Sequence, residues 1–213
     1  MKRTLVLATA ILALVAAPLA ASDRDKDRDE EQRVRTHLAG YNETQQTINS
    51  VGSGEFKAKI SSDGTTIQYE LTYRDLSSNI LQSHIHFGRP ATTGGIVLFL
   101  CTNLTPPANV PTPQACPTTS PATISGTLTA ADVIPLAVTC SGTPPVCSGQ
   151  AIDSGAAGFA EMLKAIREGA AYVNVHTTNH PSGEIRGRLG PHRDRDDHDD
   201  KDDHHDKDDH DHH

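Results

Sequence analysis

The residues best suited to chemistry are His84-Ile85-His86 and, ninety residues on, His176 and His180. Side chains alternate along a strand, so His84 and His86 would leave one face with Cα atoms about 7 Å apart. A stiff strand presets both imidazoles as a chelating pair. His176 lies in a strand-like run from Tyr172 to Thr177, with Asn174 and Tyr172 on its face, and His180 follows in the next turn. If the two strands are neighbours, three imidazoles can converge on one ion, and a three-His set with an open position suits Cu²⁺ or Zn²⁺. The competing expectation is architectural: the rings donate to backbone carbonyls and brace the loops around Gly88 and Gly183.

A second concentration of ligands closes the sequence. Residues 191–213 hold eleven Asp and seven His against four Lys/Arg. The imidazoles there are His198, His204, His205, His210, His212 and His213, with His192 at the start of the run. Imidazole suits Zn²⁺, Cu²⁺ and Ni²⁺, and carboxylates suit harder cations. Such a run is expected to be disordered and to take up several divalent ions at modest affinity, gaining ligands as His deprotonates near pH ~6.5. A merely solubilising acidic tail and an appended tag are the alternatives, although tags are usually pure His. Residues 36–190 are nearly balanced, with eight Lys/Arg against ten Asp/Glu, so most of the net charge of −8 belongs to the tail.

The N-terminal end carries Lys2 and Arg3, an apolar run from Leu5 to Ala17, then Pro18 and the small residues Ala20, Ala21 and Ser22. This pattern predicts a Sec-type signal peptide over 1–21 and a secreted or periplasmic protein. An uncleaved anchor is the alternative, but the run is short for a span. No other apolar run approaches spanning length, so the mature form is expected to have no transmembrane segment. Residues 22–35 are rich in mixed charge and read as a solvated linker.

Four cysteines in an exported chain suggest two disulfides, for which three pairings exist. Spacing favours Cys101 with Cys116 and Cys140 with Cys147, each pair bracketing a Pro-rich loop. No C-x-x-C spacing supports a cysteine metal site.

These residues need a frame, and strand signals dominate it. GEFKAKIS (54–61) and TIQYELTYR (66–74) alternate in hydrophobicity around the hairpin turn Asp63-Gly64. LQSHIHFG (81–88), GGIVLFL (94–100), ATISGTL (122–128), AAYVNVHT (170–177) and GEIRGRL (183–189) read as further strands. Thr129 to Asp132 is a capping pattern. Phe159, Met162, Leu163 and Ile166 share one face of a single short helix near 156–168, with Asp153 or Ser154 as cap. The expected fold is all-β: an antiparallel β-sandwich or Greek-key barrel, superoxide-dismutase-like or immunoglobulin-like, over 36–190. Glu184 and Arg186 share a face and are expected to form an ion pair, on their face or across strands, rather than do acid–base work.

Composition and motifs also exclude. The chain is too short for a large multidomain enzyme. It has no G-x-S-x-G, no phosphate-binding glycine motif and no basic patch, which disfavours a serine nucleophile, nucleotide chemistry and nucleic-acid binding.

Several of these segments together resemble the chordin-type (CHRD) domain: His84 to Gly88, Gly94 to Leu100, and above all Ala171 to Thr177 followed by Pro181-Ser182-Gly183-Glu184-Ile185-Arg186-Gly187. Leu38-Ala39-Gly40-Tyr41-Asn42-Glu43 is similar to the family's opening L-x-G-x-x-E, while Thr44-Gln45 stand where many members continue Val-Pro. The resemblance covers roughly 33–190 and implies an exported bacterial-type single-domain member. A looser similarity links His84, His86 and His176 to the copper-holding H-x-H and later His of copper/zinc superoxide dismutase. The bridging His and zinc-loop ligands have no clear counterparts. The function expected is a non-catalytic binding or scaffold module with a metal-binding tail. The alternatives are a dismutase-like copper enzyme and a structural or adhesive module. The expected partners are divalent transition-metal ions, with room for an extracellular or envelope protein.

Overall fold

The computed structural model describes residues 32–190 apart from 45, 107, 109 and 145. The signal peptide expected over 1–21, most of the expected linker, and the tail with His198, His204, His205, His210, His212 and His213 lie outside the described residues.

Period-two burial builds the sheet. In β2 (Ser53–Ile60) the residues Phe56, Ala58 and Ile60 turn inward. In β3 (Ile67–Arg74) Ile67, Tyr69, Leu71 and Tyr73 do the same. Full burial of each large apolar side chain stabilises the fold by about 1.5–3 kcal/mol. The turn between them is tied by Asp63, whose Oδ1 accepts from the Thr65 N–H at 3.0 Å. Before them runs β1 (Gln32–Ala39), with Val34 and Leu38 buried. It begins within the stretch expected to be linker, because Val34 supplies an inward residue there and Gln32 already pairs with Ile60.

The remaining strands of the main sheet are β4 (Ile80–Phe87), β5 (Gly95–Thr102) and β6 (Ala122–Leu128). A hairpin of β7 (Leu136–Ser141) and β8 (Val146–Ile152) follows, then α1 (Gly155–Arg167), β9 (Ala171–Thr177) and β10 (Ile185–Leu189). Eight strands form one antiparallel sheet in the order β5-β4-β9-β10-β1-β2-β3-β6. The sheet curls until its ends approach. The Tyr69 hydroxyl of β3 donates to the Leu100 carbonyl of β5 at 2.7 Å. Gln114 joins the same seam, donating to Tyr69 Oη at 2.7 Å and to the Ser125 carbonyl of β6 at 3.0 Å. The result is a nearly closed barrel or sandwich with one helix, as the strand pattern predicts.

The disulfide Cys101–Cys116 anchors the seam loop to β5. Cys140 and Cys147 stand opposite one another in the β7–β8 ladder. That ladder differs from the sequence expectation, which assigned no strands here. β7 is largely exposed, so it carries no inward apolar alternation to reveal the pair.

α1 buries Phe159, Met162, Leu163 and Ile166, the face its spacing predicts. Ser154 is its N-cap but makes no side-chain capping bond; Glu161 instead reaches back to the Asp153 N–H at 2.9 Å. The Thr129–Asp132 capping box forms around a short 3-10 turn.

Candidate metal centre

β4 and β9 are sheet neighbours, with His84 opposite Asn174, His86 opposite Tyr172 and Gln82 opposite His176. Alternation therefore sends Ile85, Val173 and Val175 into the apolar core. His84, His86, Asn174 and His176 leave from the other face. Loops cover that face as well, so all seven residues of β9 are buried. His84, His86 and His176 are 0%, 6% and 6% exposed.

The three rings meet. Their centroids lie 4.8 Å (His84–His86), 4.5 Å (His84–His176) and 6.3 Å (His86–His176) apart. One nitrogen from each lies within 4.8 Å of the others. His180 sits in the β9–β10 turn outside this group, beside a shallow pocket lined by Thr44, Ile48 and Ser182.

The sequence left two roles open for these rings, coordination or carbonyl bonding, and each ring has two nitrogens. His86 Nδ1 lies 2.9 Å from the Gly94 carbonyl, and His176 Nδ1 lies 2.9 Å from the Pro181 carbonyl. A carbonyl only accepts, so both Nδ1 atoms carry the proton, and in a neutral ring Nε2 is then a bare lone pair. Burial holds His86 down to about 4. It also lowers His176, and it drives His84 well below the usual range, helped by the two neighbouring rings. At neutral pH the rings are uncharged. His86 Nε2 and His176 Nε2 each lie 3.0 Å from Asn174 Oδ1. His84 Nδ1 is 2.8 Å from His86 Nε2, and the buried His84 Nε2 has no hydrogen-bond partner among the described residues. Outer hydrogen bonds that fix the tautomer and present the other nitrogen inward are the usual support of metal-ligating histidines.

The support extends outward. The Tyr172 ring stacks on His86 at 4.5 Å, and the Arg186 guanidinium lies 3.3 Å from the Tyr172 ring centre. Arg186 is held by Thr44 Oγ1 and the carbonyls of Arg89 and Thr92. Gly94, whose carbonyl accepts from His86, also donates its own N–H to Tyr172 Oη at 3.1 Å. A Cβ at Gly94 would lie 1.9 Å from the Phe87 carbonyl, so this close turn requires glycine. Gln150 of β8 docks the hairpin here, bonding the Gly95 N–H and the Phe87 carbonyl, each at 2.6 Å.

Glu43 is a residue the sequence reading gave no role beyond the family motif. It is buried, and burial pushes its carboxyl up to about 7 against the opposing pull of Arg186. Asn174 and the Thr44 backbone also favour its charged form, and its buried Oε1 has no hydrogen-bond partner among the described residues. Gly183, at φ +127°, presses directly on the carboxylate; a Cβ there would lie 2.4 Å from Oε1. The loop position and a lone acidic letter gave no signal of this contact.

The expected Glu184–Arg186 ion pair does not form among the described residues. Glu184 instead accepts from Ser50 Oγ (2.6 Å), the Ser77 N–H (2.8 Å), Ser77 Oγ (2.9 Å) and Thr177 Oγ1 (2.6 Å). Loops that the sequence could not place supply these donors, while the Tyr172 ring claims Arg186.

Fold and site together define a small disulfide-linked β-domain with a buried cluster of neutral histidines on its loop-covered face. Residues 34–189 match the family described as the CHRD domain, and the chain belongs to that family. Membership makes it a non-enzymatic type of module found outside cells, and the disulfide fits an oxidising compartment. No curated protein and no solved structure matched the chain. Among the described residues no helix is long and apolar enough to cross a membrane.

Proposed function

We propose that this chain is an exported, non-catalytic binding module that holds one transition-metal ion at His84, His86 and His176 and gathers further ions on its Asp/His tail. One observation carries the core reading. Two imidazoles commit their N–H to backbone carbonyls and turn bare Nε2 atoms toward each other beside a third ring with an unpartnered nitrogen. Neutral, pre-oriented imidazoles are what Zn²⁺ and Cu²⁺ take. A dismutase-like copper enzyme has less support, because turnover needs a coordination position open to substrate and these rings are almost wholly enclosed. Cys140 and Cys147, opposite in the ladder, form the second disulfide under this reading.

Isothermal titration of the full chain with Zn²⁺, Cu²⁺ and Ni²⁺ tests it. The natural chain should bind several ions. With all seven tail histidines replaced by Ala, one ion per chain should remain, and adding H84A, H86A and H176A should remove it. A folded tail variant that takes up no metal at micromolar concentration ends the core reading.

A further inference from the structure

We propose that Asn174 Oδ1 is the fourth ligand of this centre, which makes it a closed three-nitrogen, one-oxygen site of the structural zinc type. The inference rests on the three-histidine reading and adds to it both a ligand and a class of ion.

It follows from counting protons. Asn174 Oδ1 can only accept, and two ring nitrogens approach it at 3.0 Å. Each of those neutral rings has one N–H, already donated to Gly94 or Pro181. No proton is left between Oδ1 and either Nε2. His84 Nδ1–H can serve His86 Nε2, but this leaves Oδ1, His176 Nε2 and His84 Nε2 as buried acceptors gathered without a donor. Turning the amide round does not cure this. Reversal would turn Oδ1 toward Glu43, whose Oε1 is itself a buried acceptor with no partner among the described residues, so the shortage of donors would move rather than close. Protonating both rings would put two cations side by side in a buried cluster. A metal cation takes the lone pairs of Asn174 Oδ1, His86 Nε2, His176 Nε2 and His84 Nδ1 together, with the His84 proton then carried on Nε2.

The spacing agrees. A tetrahedral ion with bonds of ~2.0–2.1 Å separates its ligands by about 3.3 Å. The two Asn174–His distances are 3.0 Å and the His84–His86 distance is 2.8 Å, so the inner atoms must part by only a few tenths of an ångström. The widest nitrogen pair, within 4.8 Å, must close. Four protein ligands leave no position for substrate, and that is the mark of a structural rather than a catalytic zinc site.

Co²⁺ is the probe, added to the full chain with its seven tail histidines replaced by Ala. One equivalent should give the intense visible bands of four-coordinate Co²⁺, unchanged by azide. N174L should bind about 10–100-fold more weakly and lose band intensity as water enters. N174D, which keeps an oxygen in place, should bind at least as tightly as the parent, and it decides the matter alone if N174L fails to fold. Unchanged affinity and spectrum in N174L, lost binding in N174D, or a band shift on adding azide overturns the closed centre. The three-histidine reading survives those outcomes if H84A, H86A and H176A still abolish binding; a parent that binds no Co²⁺ overturns both.

Discussion

Glu184 shows how much a single buried charge depends on donors remote in sequence. Four hydrogen bonds from Ser50, Ser77 and Thr177 hold it, with no basic partner among the described residues. Burial alone would raise its carboxyl, but these donors outweigh burial and leave it below its ordinary value of 4.5. A depressed carboxylate contributes stability that is present above the unfolded value and is lost as pH falls through the folded one. Acid should therefore destabilise the protein below about pH 4.5 more steeply than it destabilises Glu184→Gln. At neutral pH the same substitution keeps a carbonyl for the Ser77 N–H but sets an amide donor against the Ser77 and Thr177 hydroxyls, which must turn to accept, and should cost about 1–3 kcal/mol. Urea unfolding across that range checks both, and parallel pH profiles for the two proteins would refute the assignment. At this scale the sequence was partly legible. The period of two put His84 and His86 on one face, and the convergence with His176 followed from a guess about strand adjacency that the register bears out. The donors to Glu184 and the partners of Asn174 were hidden because loops bring them together.

At the scale of elements, strands with one buried face declared themselves, as in β2 and β3, where every second residue is apolar. α1 was equally plain, since its apolar residues recur at helical spacing. The β7–β8 hairpin was not, because almost nothing on β7 is buried. Nor did alternation reveal how the sheet closes. Closure depends on Tyr69 and Gln114 crossing between strands far apart in sequence, and on Cys116 tethering their loop to Cys101. The bridge closes a loop with a sequence separation of 15. By loop entropy that is worth roughly 3 kcal/mol. Replacing Cys101 and Cys116 together by Ser should lower stability by about that amount. Hydrogen exchange should rise along the β5–β6 seam, with the β1–β2–β3 strands less affected. Uniform loss of protection across the sheet would show that the bridge does not act at the seam.

Across the whole molecule, an ion held at the proposed centre would be coupled to folding. Its residues come from β4 and β9, and its supports come from loops as distant as Glu43, Gly94 and Pro181, so the set exists only in the folded chain. The tail is different. Its histidines and aspartates are neighbours in sequence and need no fold to bring them together. An ion held equally by folded and unfolded chains leaves stability unchanged, whereas one held only by the folded chain adds about 2.7 kcal/mol at 100 times its Kd. For a domain of this size that corresponds to a rise in Tm of roughly 5–10 °C. Zn²⁺ should therefore raise Tm by that amount in the natural chain and in the variant without tail histidines alike. The rise should vanish in H84A/H86A/H176A, although that protein still takes up ions on its tail. If the triple variant is stabilised as much as the natural chain, the ion acts through the tail, and the buried imidazoles serve only to pack β4 against β9.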